Sequence, residues 1–482
     1  MPLRREESGS ADNPRGATAT GQPRQVLGLH QTVAIIVGIV IGAGIFKAPS
    51  LVAGMAGGTT AMFVAWVLGG VMSLIGALCY AELATAFPSA GGDYHFLRRA
   101  YGPRVSFLFA WARFSVITTG SIALLAFVFG DYLNQVVPLG ASGPPLYAAA
   151  VIIVLSWINL RGIGSSATAQ TWLTLLEVGG LLLIMVAGLY LAFGGGAASA
   201  AGAAQPAPAA GAQAAAATID WSMFGMAMVF VLLTYGGWNE AAYISAEVKG
   251  GSRNMVVALV SSILLITVLY LVVNWAYWTG LGLAGMGKSQ AIAADLLQVA
   301  FGPTGSRIIS ILVAVAALTS INATMIVGAR TSFAVGRDWP QLARLGRWDA
   351  ERGTPTVALL LQSGIALVLV PVGAWVGSGF RAMVEFTAPV FWLFFLLSGV
   401  SLFVLRVREP RAERPFRVPL YPLLPLIFCA VCAYMLWASL SYVYSQELGG
   451  LNAAWIGIAV LATGALLLLV ISRAAAKAPR EA

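Results

Sequence analysis

Two short glycine-containing sequences interrupt long apolar segments. At these places the backbone N–H and C=O groups become available to bind a ligand. The first is Gly42-Ala43-Gly44, near the middle of the apolar sequence 36–46. The second covers residues 234–239 and includes Gly236 and Gly237. Each glycine weakens a helix by roughly 1 kcal/mol relative to alanine. The two sequences therefore predict two broken helices.

A helix break inside a membrane exposes backbone groups that can bind a small molecule. Unpaired backbone groups cost several kcal/mol in hydrocarbon unless they line a cavity or are buried in protein. The N-terminus of a half-helix offers free N–H groups to a carboxylate, and unwound carbonyls suit an ammonium group. The ligand indicated is a zwitterion. Close helix packing is the alternative explanation, because Gly38 and Gly42 also form a small-residue packing pattern.

The composition places these breaks in a membrane. Hydrophobic residues make up 59% of the 482 residues, charged residues 10%, and the mean hydropathy is +0.83, whereas soluble domains have roughly 25% charged residues. Spans of about 20 apolar residues divide the chain into twelve predicted segments, numbered here in chain order. They open near Thr32, Thr60, Val105, Leu146, Ala169, Met223, Val256, Ile308, Thr356, Ala382, Leu420 and Leu451.

Charge sets the predicted topology. With a cytoplasmic N-terminus, most of the 28 Lys and Arg residues fall on the cytoplasmic side, as the positive-inside rule requires. Both termini are therefore expected in the cytoplasm. The rest lie within spans or outside: Lys47, Arg113, Lys288, Arg307 and Arg381. The net charge of +9 is spread over short loops, so no nucleic acid partner is expected.

The breaks lie in the first and sixth segments, five apart, which indicates an inverted repeat. The predicted division is a cytoplasmic tail (1–28), a first repeat (29–193), a disordered external loop of Ala, Gly and Pro (194–219), a second repeat (220–406), two further helices (407–473) and a tail (474–482).

The residue types do not indicate a metal site, a cofactor or an enzyme. The histidines, His30 and His95, are two spans apart, so no paired zinc motif can form. Cys79, Cys429 and Cys432 lie in or beside apolar segments, where packing explains them. Since no nucleophile converges with a base, no enzyme is expected.

Four motifs carry a resemblance that covers about residues 28–473. They are residues 38–46; the sequence 79–83 with Phe87-Pro88 and residues 91–94; residues 235–247; and the basic loop 413–419. On these residues the chain resembles the amino acid-polyamine-organocation superfamily, and within it the L-type amino acid transporters and their bacterial relatives. The resemblance implies an all-α membrane protein with ten core helices in two inverted five-helix repeats and two peripheral helices.

The resemblance also implies a substrate site. The carboxylate would meet the N–H groups of Gly42, Ala43 and Gly44, and the amino group would meet carbonyls near Ile39 and Leu233. The remaining implied site residues select the side chain or belong to the second break: Val116, Ile117, Ser121, Thr234, Tyr235 and Gly236.

Two positions depart from the family pattern. Leu233 stands where many relatives have an aromatic gate residue, which predicts a looser closure or a larger pocket. Glu177 stands where many relatives have a lysine, seven residues after Gln170. A buried ionisable group is a functional candidate, since burial disfavours its charged form. Exchange of a proton by Glu177 during transport is one hypothesis, and a structural pairing between helices is the other.

Other intramembrane polar groups are expected to be structural: Glu82, Arg113, Glu240, Asn274 and Asn322. The predicted function is secondary transport of amino acids across the inner or plasma membrane by alternating access, as an exchanger or a proton-coupled symporter. The expected partners are the amino acid, the bilayer and protons, without metal or cofactor, and the oligomeric state stays open. A polyamine or amine carrier and an amino acid receptor that does not transport are the alternatives.

Overall fold

A computed structural model describes most of the chain. The described residues are 28–89, 91–162, 167–194, 220–240, 248–339, 342–349, 354–375, 377–445, 447–448, 451–452 and 459–470. The predicted tails before residue 28 and after residue 473, and nearly all of the predicted external loop 194–219, lie outside this part of the chain.

Helices dominate the described residues, and nine of them are long and apolar enough to cross a membrane. These nine are Thr59–Ala86, Pro103–Val136, Gly143–Leu160, Ala167–Phe193, Gly251–Lys288, Ile292–Asp338, Thr356–Trp375, Gly379–Arg408 and Leu423–Ser445. Shorter apolar helices, Leu29–Val40, Trp221–Thr234 and Ala459–Val470, lie in the first, sixth and twelfth predicted segments. A two-residue antiparallel pairing joins Glu447–Leu448 to Leu451–Asn452. The prediction of a helical membrane protein is confirmed.

The first segment is broken where its glycines predicted. The helix Leu29–Val40 ends, a 3-10 helix covers Ala43–Phe46, and a second helix, Ala48–Met55, continues the segment. Gly42 between them has an extended backbone. In the sixth segment, Trp221–Thr234 ends before a turn, and a 3-10 helix covers Trp238–Glu240. The continuation of this segment, 241–247, lies outside the described residues.

The third segment has an irregularity that its sequence did not predict. A π-helical turn, Arg113–Thr118, separates Pro103–Ala112 from Thr119–Val136. Wide turns of this kind are rare, and they are frequently found at functional sites. The residues that the resemblance assigned to side-chain selection, Val116 and Ile117, lie in this turn.

Glycine also reshapes the start of the eighth segment. The helix begins at Ile292, well before the predicted opening at Ile308, and changes direction at Gly302, whose φ is 69°. Pro303 follows, and it has no N–H to continue the helical hydrogen bonds. Residues 292–301 therefore form a separate helical arm before the span.

Polar contacts between segments occur at the expected residues, with one exception. Asn159 Nδ2 donates to Asn322 Oδ1 at 2.7 Å and joins the fourth and eighth segments. Glu82 accepts two hydrogen bonds from Arg406, at 2.8 and 2.6 Å, and one from the Val418 N–H at 2.7 Å. The loop 413–419 is thus anchored rather than freely solvated. Asn274 instead donates to the Tyr270 carbonyl of its own helix at 2.8 Å and bonds to no other segment among the described residues.

Candidate functional site

The two breaks contact each other in the middle of the helical core. The space beside Gly237 is closed by Ile39: a methyl group on Gly237 would lie 3.0 Å from Ile39 Cγ2 and 3.2 Å from its carbonyl oxygen. Gly44 faces Thr234, whose side chain would lie 3.5 Å from a methyl group at that position. The sequence analysis predicted each break separately, and the fold joins them into one region of unwound backbone.

The first break supplies free N–H groups. Ala43 and Gly44 begin the 3-10 helix, and within the described residues their N–H groups have no backbone or side-chain acceptor. Gly42 differs, because its N–H already donates to the Val40 carbonyl at 2.9 Å. A Cβ atom on Gly42 would meet nothing within 4 Å, so this residue borders open space. Two of the three predicted carboxylate donors are therefore available in this conformation.

Carbonyl groups of both breaks face the same region. The Leu233 carbonyl accepts the Gly236 N–H at 3.1 Å, whereas the Ile39 carbonyl accepts no hydrogen bond from the described residues. The last carbonyls of the two half-helices, at Val40 and Thr234, share the hydroxyl of Tyr270 at 3.0 and 3.1 Å. Tyr270 lies on the seventh segment, and the sequence analysis missed it, because nothing in the local sequence distinguishes it from a packing tyrosine.

The side chains predicted for the site differ in whether they are free to contact a ligand. Thr234 Oγ1 donates to its own helix at 2.7 Å, and the Tyr235 hydroxyl donates to the Trp66 carbonyl at 3.0 Å. Leu233, Gly236, Ile117 and Ser121 are half-buried, and Val116 is buried. Tyr235 therefore holds the second break against the second segment, and Leu233 keeps its side chain partly open.

Glu177 is buried, and no described residue pairs with it. It is 6% exposed on the fifth segment, and among the described residues it makes no hydrogen bond or ion pair. The helical pairing offered as the alternative explanation for Glu177 is thus not seen in the described part of the chain.

Two ion pairs flank the breaks on opposite sides, and both use the third segment; they are named outer and inner after the topology predicted from the sequence. In the outer pair, Lys47 Nζ lies 2.6 Å from Asp131 Oδ2, with side chains 3% and 16% exposed, and Lys47 also donates to the Gln290 carbonyl. In the inner pair, Arg113 lies 3.2 Å from Glu240, with side chains 11% and 32% exposed. The outer pair has the shorter distance between its charged atoms and the less exposed side chains. The sequence analysis gave Lys47 no role.

A buried carboxyl group lies near the inner pair. Asp93, in the short helix Gly92–Tyr101, accepts hydrogen bonds from Tyr80 at 2.6 Å and from Ser398 at 2.9 Å. Burial raises the pKa of Asp93, and these two hydrogen bonds act in the opposite direction. Asp93 is therefore a second acidic group, besides Glu177, whose charged form is penalised by burial.

The described residues contain no group of three or more His, Cys, Asp or Glu side chains placed to hold a metal ion. The groups that border the two breaks are backbone N–H and C=O groups, the Tyr270 hydroxyl and the two ion pairs.

Comparison with known proteins identifies the family. The sequence profile described as "Amino acid permease" matches residues 27–471. The human "b(0,+)-type amino acid transporter 1" is 28% identical over 439 residues, which cover 90% of this chain and 86% of the relative. The "Large neutral amino acids transporter small subunit 2" of Mus musculus is 27% identical over 470 residues, which cover 95% and 83%.

A solved structure shares the fold. The crystal structure of MhsT in complex with L-phenylalanine superposes with a TM-score of 0.59 at 16% identity, covering 87% of this chain and 100% of that one. The curated relatives are named as transporters, which confirms the prediction that the chain is not an enzyme. The profile match over almost the entire length shows that this multi-pass membrane protein belongs to the amino acid permease family.

Proposed function

We propose that this permease carries amino acids across the cell's inner or plasma membrane by alternating access, with both termini in the cytoplasm. The free N–H groups of Ala43 and Gly44 bind the substrate carboxylate, and the Ile39 carbonyl accepts from its ammonium group. The contact between the two breaks carries this proposal, since it places the free N–H groups and the free Ile39 carbonyl of the first break against the second break. The names of the relatives support the same substrate class.

The flanking ion pairs support the alternating-access part of the proposal. Each pair joins a broken segment to the third segment, on opposite sides of the site. The outer pair is buried and the inner pair is partly exposed, which is the pattern expected of a conformation closed to the outside. Opening to the outside then separates Lys47 from Asp131, and closing the inside tightens Arg113 against Glu240.

A valine in the open space beside Gly42 tests the site directly. Because a Cβ atom there meets no protein atom within 4 Å and the backbone is extended, Gly42→Val is expected to keep the fold but to occupy the space of the substrate carboxylate. Uptake of labelled amino acids into proteoliposomes is expected to fall about 10- to 100-fold, the loss associated with a hydrogen bond to a charged group.

The matched control is Gly179→Ala, which also places a side chain where no atom lies within 4 Å, but on the fifth segment. The assay uses a panel of amino acids, with and without a pH gradient and with internal substrate. Normal uptake by Gly42→Val would show that the substrate does not bind at the first break. Failure of the unaltered protein to accumulate or exchange any amino acid would favour the receptor or the amine carrier instead.

Glu177 is the proposed proton-coupling residue. Glu177→Gln keeps the size and hydrogen-bonding capacity of the side chain but cannot release a proton, so stimulation of uptake by an inward proton gradient is expected to disappear while exchange at equal pH continues. The measurement is the initial uptake rate as a function of external pH. A retained pH dependence that is lost in Asp93→Asn would assign the proton to the buried carboxyl group near the inner pair.

The amine carrier has less support from the site. A polyamine needs several carboxylates around the unwound backbone, but Glu240 is paired with Arg113, and Glu177 is the one unpaired acidic side chain of the described breaks and their neighbours. Exchange and proton-coupled uptake remain the two modes proposed.

A further inference from the structure

An apolar groove lies between the predicted cytoplasmic ends of the third and eighth segments. Its volume is about 330 Å³, and none of the residues that line it belongs to either break. The third segment contributes Phe107, Trp111 and Phe114, and the turn that follows the eighth segment contributes Leu342 and Leu345. The groove is therefore a feature separate from the proposed substrate site.

The groove opens toward the periphery of the helix bundle. Phe107, Trp111 and Phe114 are spaced four and three residues apart, so they lie on one face of the third segment. Trp111, at the edge of this face, donates its indole N–H to the Val460 carbonyl of the twelfth segment at 2.9 Å. Apolar side chains of that last helix are more than half exposed, as expected of a surface in contact with lipid: Leu466, Leu469 and Val470.

Backbone contacts hold the turn that forms one wall of the groove. The Leu342 N–H donates to the Trp339 carbonyl, and the Leu345 N–H donates to the Leu342 carbonyl, both at 2.8 Å. A methyl group on Gly336, near the end of the eighth segment, would lie 2.2 Å from the Gly346 nitrogen. The turn therefore packs backbone against backbone on the eighth segment, and its two leucines have a fixed place in the groove.

Three arginines belong to the elements that form the groove. Arg104 precedes Phe107 by about one helical turn, and Arg344 and Arg347 lie on either side of Leu345. All three side chains are exposed, and none of them forms an ion pair with a described residue. The apolar wall is thus bordered by positive charge.

The neighbouring acidic side chains do not neutralise this charge. Asp338, at the end of the eighth segment, accepts from Tyr94 at 2.9 Å and pairs with Arg98 at 3.1 Å. Asp349 forms no ion pair with the two arginines of the turn. The helix Pro103–Ala112 also begins at this end of the groove, and its first N–H groups add partial positive charge.

We infer that the groove binds an anionic phospholipid of the cytoplasmic leaflet. One acyl chain lies along the apolar wall, and the phosphate group binds the arginines, whose planar guanidinium groups match phosphate oxygens. The negative surface of that leaflet attracts basic groups next to membrane-spanning helices. A lipid in this position contacts the third and eighth segments together and therefore stabilises their packing. The inference is independent of the substrate that the permease carries.

Native mass spectrometry of the purified full-length protein, titrated with phosphatidylglycerol in detergent, measures the binding. We expect Arg344→Gln, Arg347→Gln to weaken it about 30-fold, the loss for two arginines beside a charged lipid surface. The matched control is Arg411→Gln, Arg417→Gln, which removes two exposed arginines without ion pairs from another predicted cytoplasmic loop. Its affinity for phosphatidylglycerol is expected to equal that of the unaltered protein.

A second double variant tests the apolar wall. Leu342→Ser, Leu345→Ser keeps all three arginines but removes the leucines of the turn, so phosphatidylglycerol binding should again weaken. Thermal unfolding in detergent checks that each variant is folded. It also gives an independent readout, because a lipid that binds the folded state raises the unfolding temperature. This rise is expected for the unaltered protein and the arginine control, and it should be lost in Arg344→Gln, Arg347→Gln.

Three outcomes would overturn the inference. Equal binding of phosphatidylcholine would show that the groove accepts lipid without regard to charge. An equal loss in the arginine control would show that only the total charge of the protein matters. A rise in unfolding temperature with inorganic phosphate as large as that with phosphatidylglycerol would assign the arginines to a soluble anion.

Discussion

Replacing Gly237 with alanine is expected to lower transport by at least about tenfold, because a methyl group at this position pushes the two breaks apart. Gly237 has a φ of 109°, which side chains rarely adopt, and such strain costs about 1–3 kcal/mol. The added methyl group would also lie 3.2 Å from the Ile39 carbonyl oxygen, a backbone atom that cannot rotate away. Initial rates of amino acid exchange in proteoliposomes measure the effect.

The control for this substitution is again Gly179→Ala. It adds the same methyl group inside a regular helix with free space around it, and alanine favours the helix by roughly 1 kcal/mol. Full exchange activity is therefore expected for the control. Full activity of Gly237→Ala as well would mean that the breaks do not need to be in contact, which would remove the basis of the proposed site.

Lys47→Met is expected to destabilise the protein by about 3–5 kcal/mol, the usual cost of leaving one member of a buried ion pair without its partner. The affected partner is Asp131, whose carboxylate lies 2.6 Å from Lys47 Nζ. Arg98→Met is the comparison, because Arg98 pairs with Asp338 at the surface, where both side chains are more than a third exposed. Surface pairs contribute at most about 1 kcal/mol. Thermal unfolding in detergent compares the two.

The double variant Lys47→Met, Asp131→Leu separates stability from gating. Removing both charges avoids the unpaired carboxylate, so most of the lost stability should return. If the outer pair closes the site, the same variant opens it to the outside. A cysteine at Gly42, in a background without Cys79, Cys429 and Cys432, should then react faster with a membrane-impermeant thiol reagent added outside. Unchanged reactivity would show that the outer pair only stabilises the fold.

The two helix breaks could be predicted from the sequence because each depends only on consecutive residues. Glycine weakens a helix wherever it occurs, so Gly42, Gly44, Gly236 and Gly237 were sufficient to predict where the first and sixth segments unwind. The same holds for the membrane segments, whose length and apolar composition are properties of consecutive residues. Glu177 could be identified because a carboxylate in the middle of such a segment is costly.

Contacts between distant parts of the chain were not predictable in this way. Tyr270 is one tyrosine among the 14 in the sequence, and only the packing of the seventh segment puts its hydroxyl between Val40 and Thr234. The pairing of Lys47 with Asp131 joins residues 84 positions apart, and that of Arg113 with Glu240 joins residues 127 apart. No periodicity along the chain contains this information.

The conformation of individual groups was also decided by the tertiary structure. The Gly42 N–H was predicted to meet the substrate carboxylate, but it turns back to the Val40 carbonyl in this conformation. The sequence by itself determined that this is a helical membrane protein with two broken segments, since hydrocarbon and glycine act on each segment alone. The tertiary structure decided which donors, acceptors and charges meet, because those distances depend on how the segments pack together.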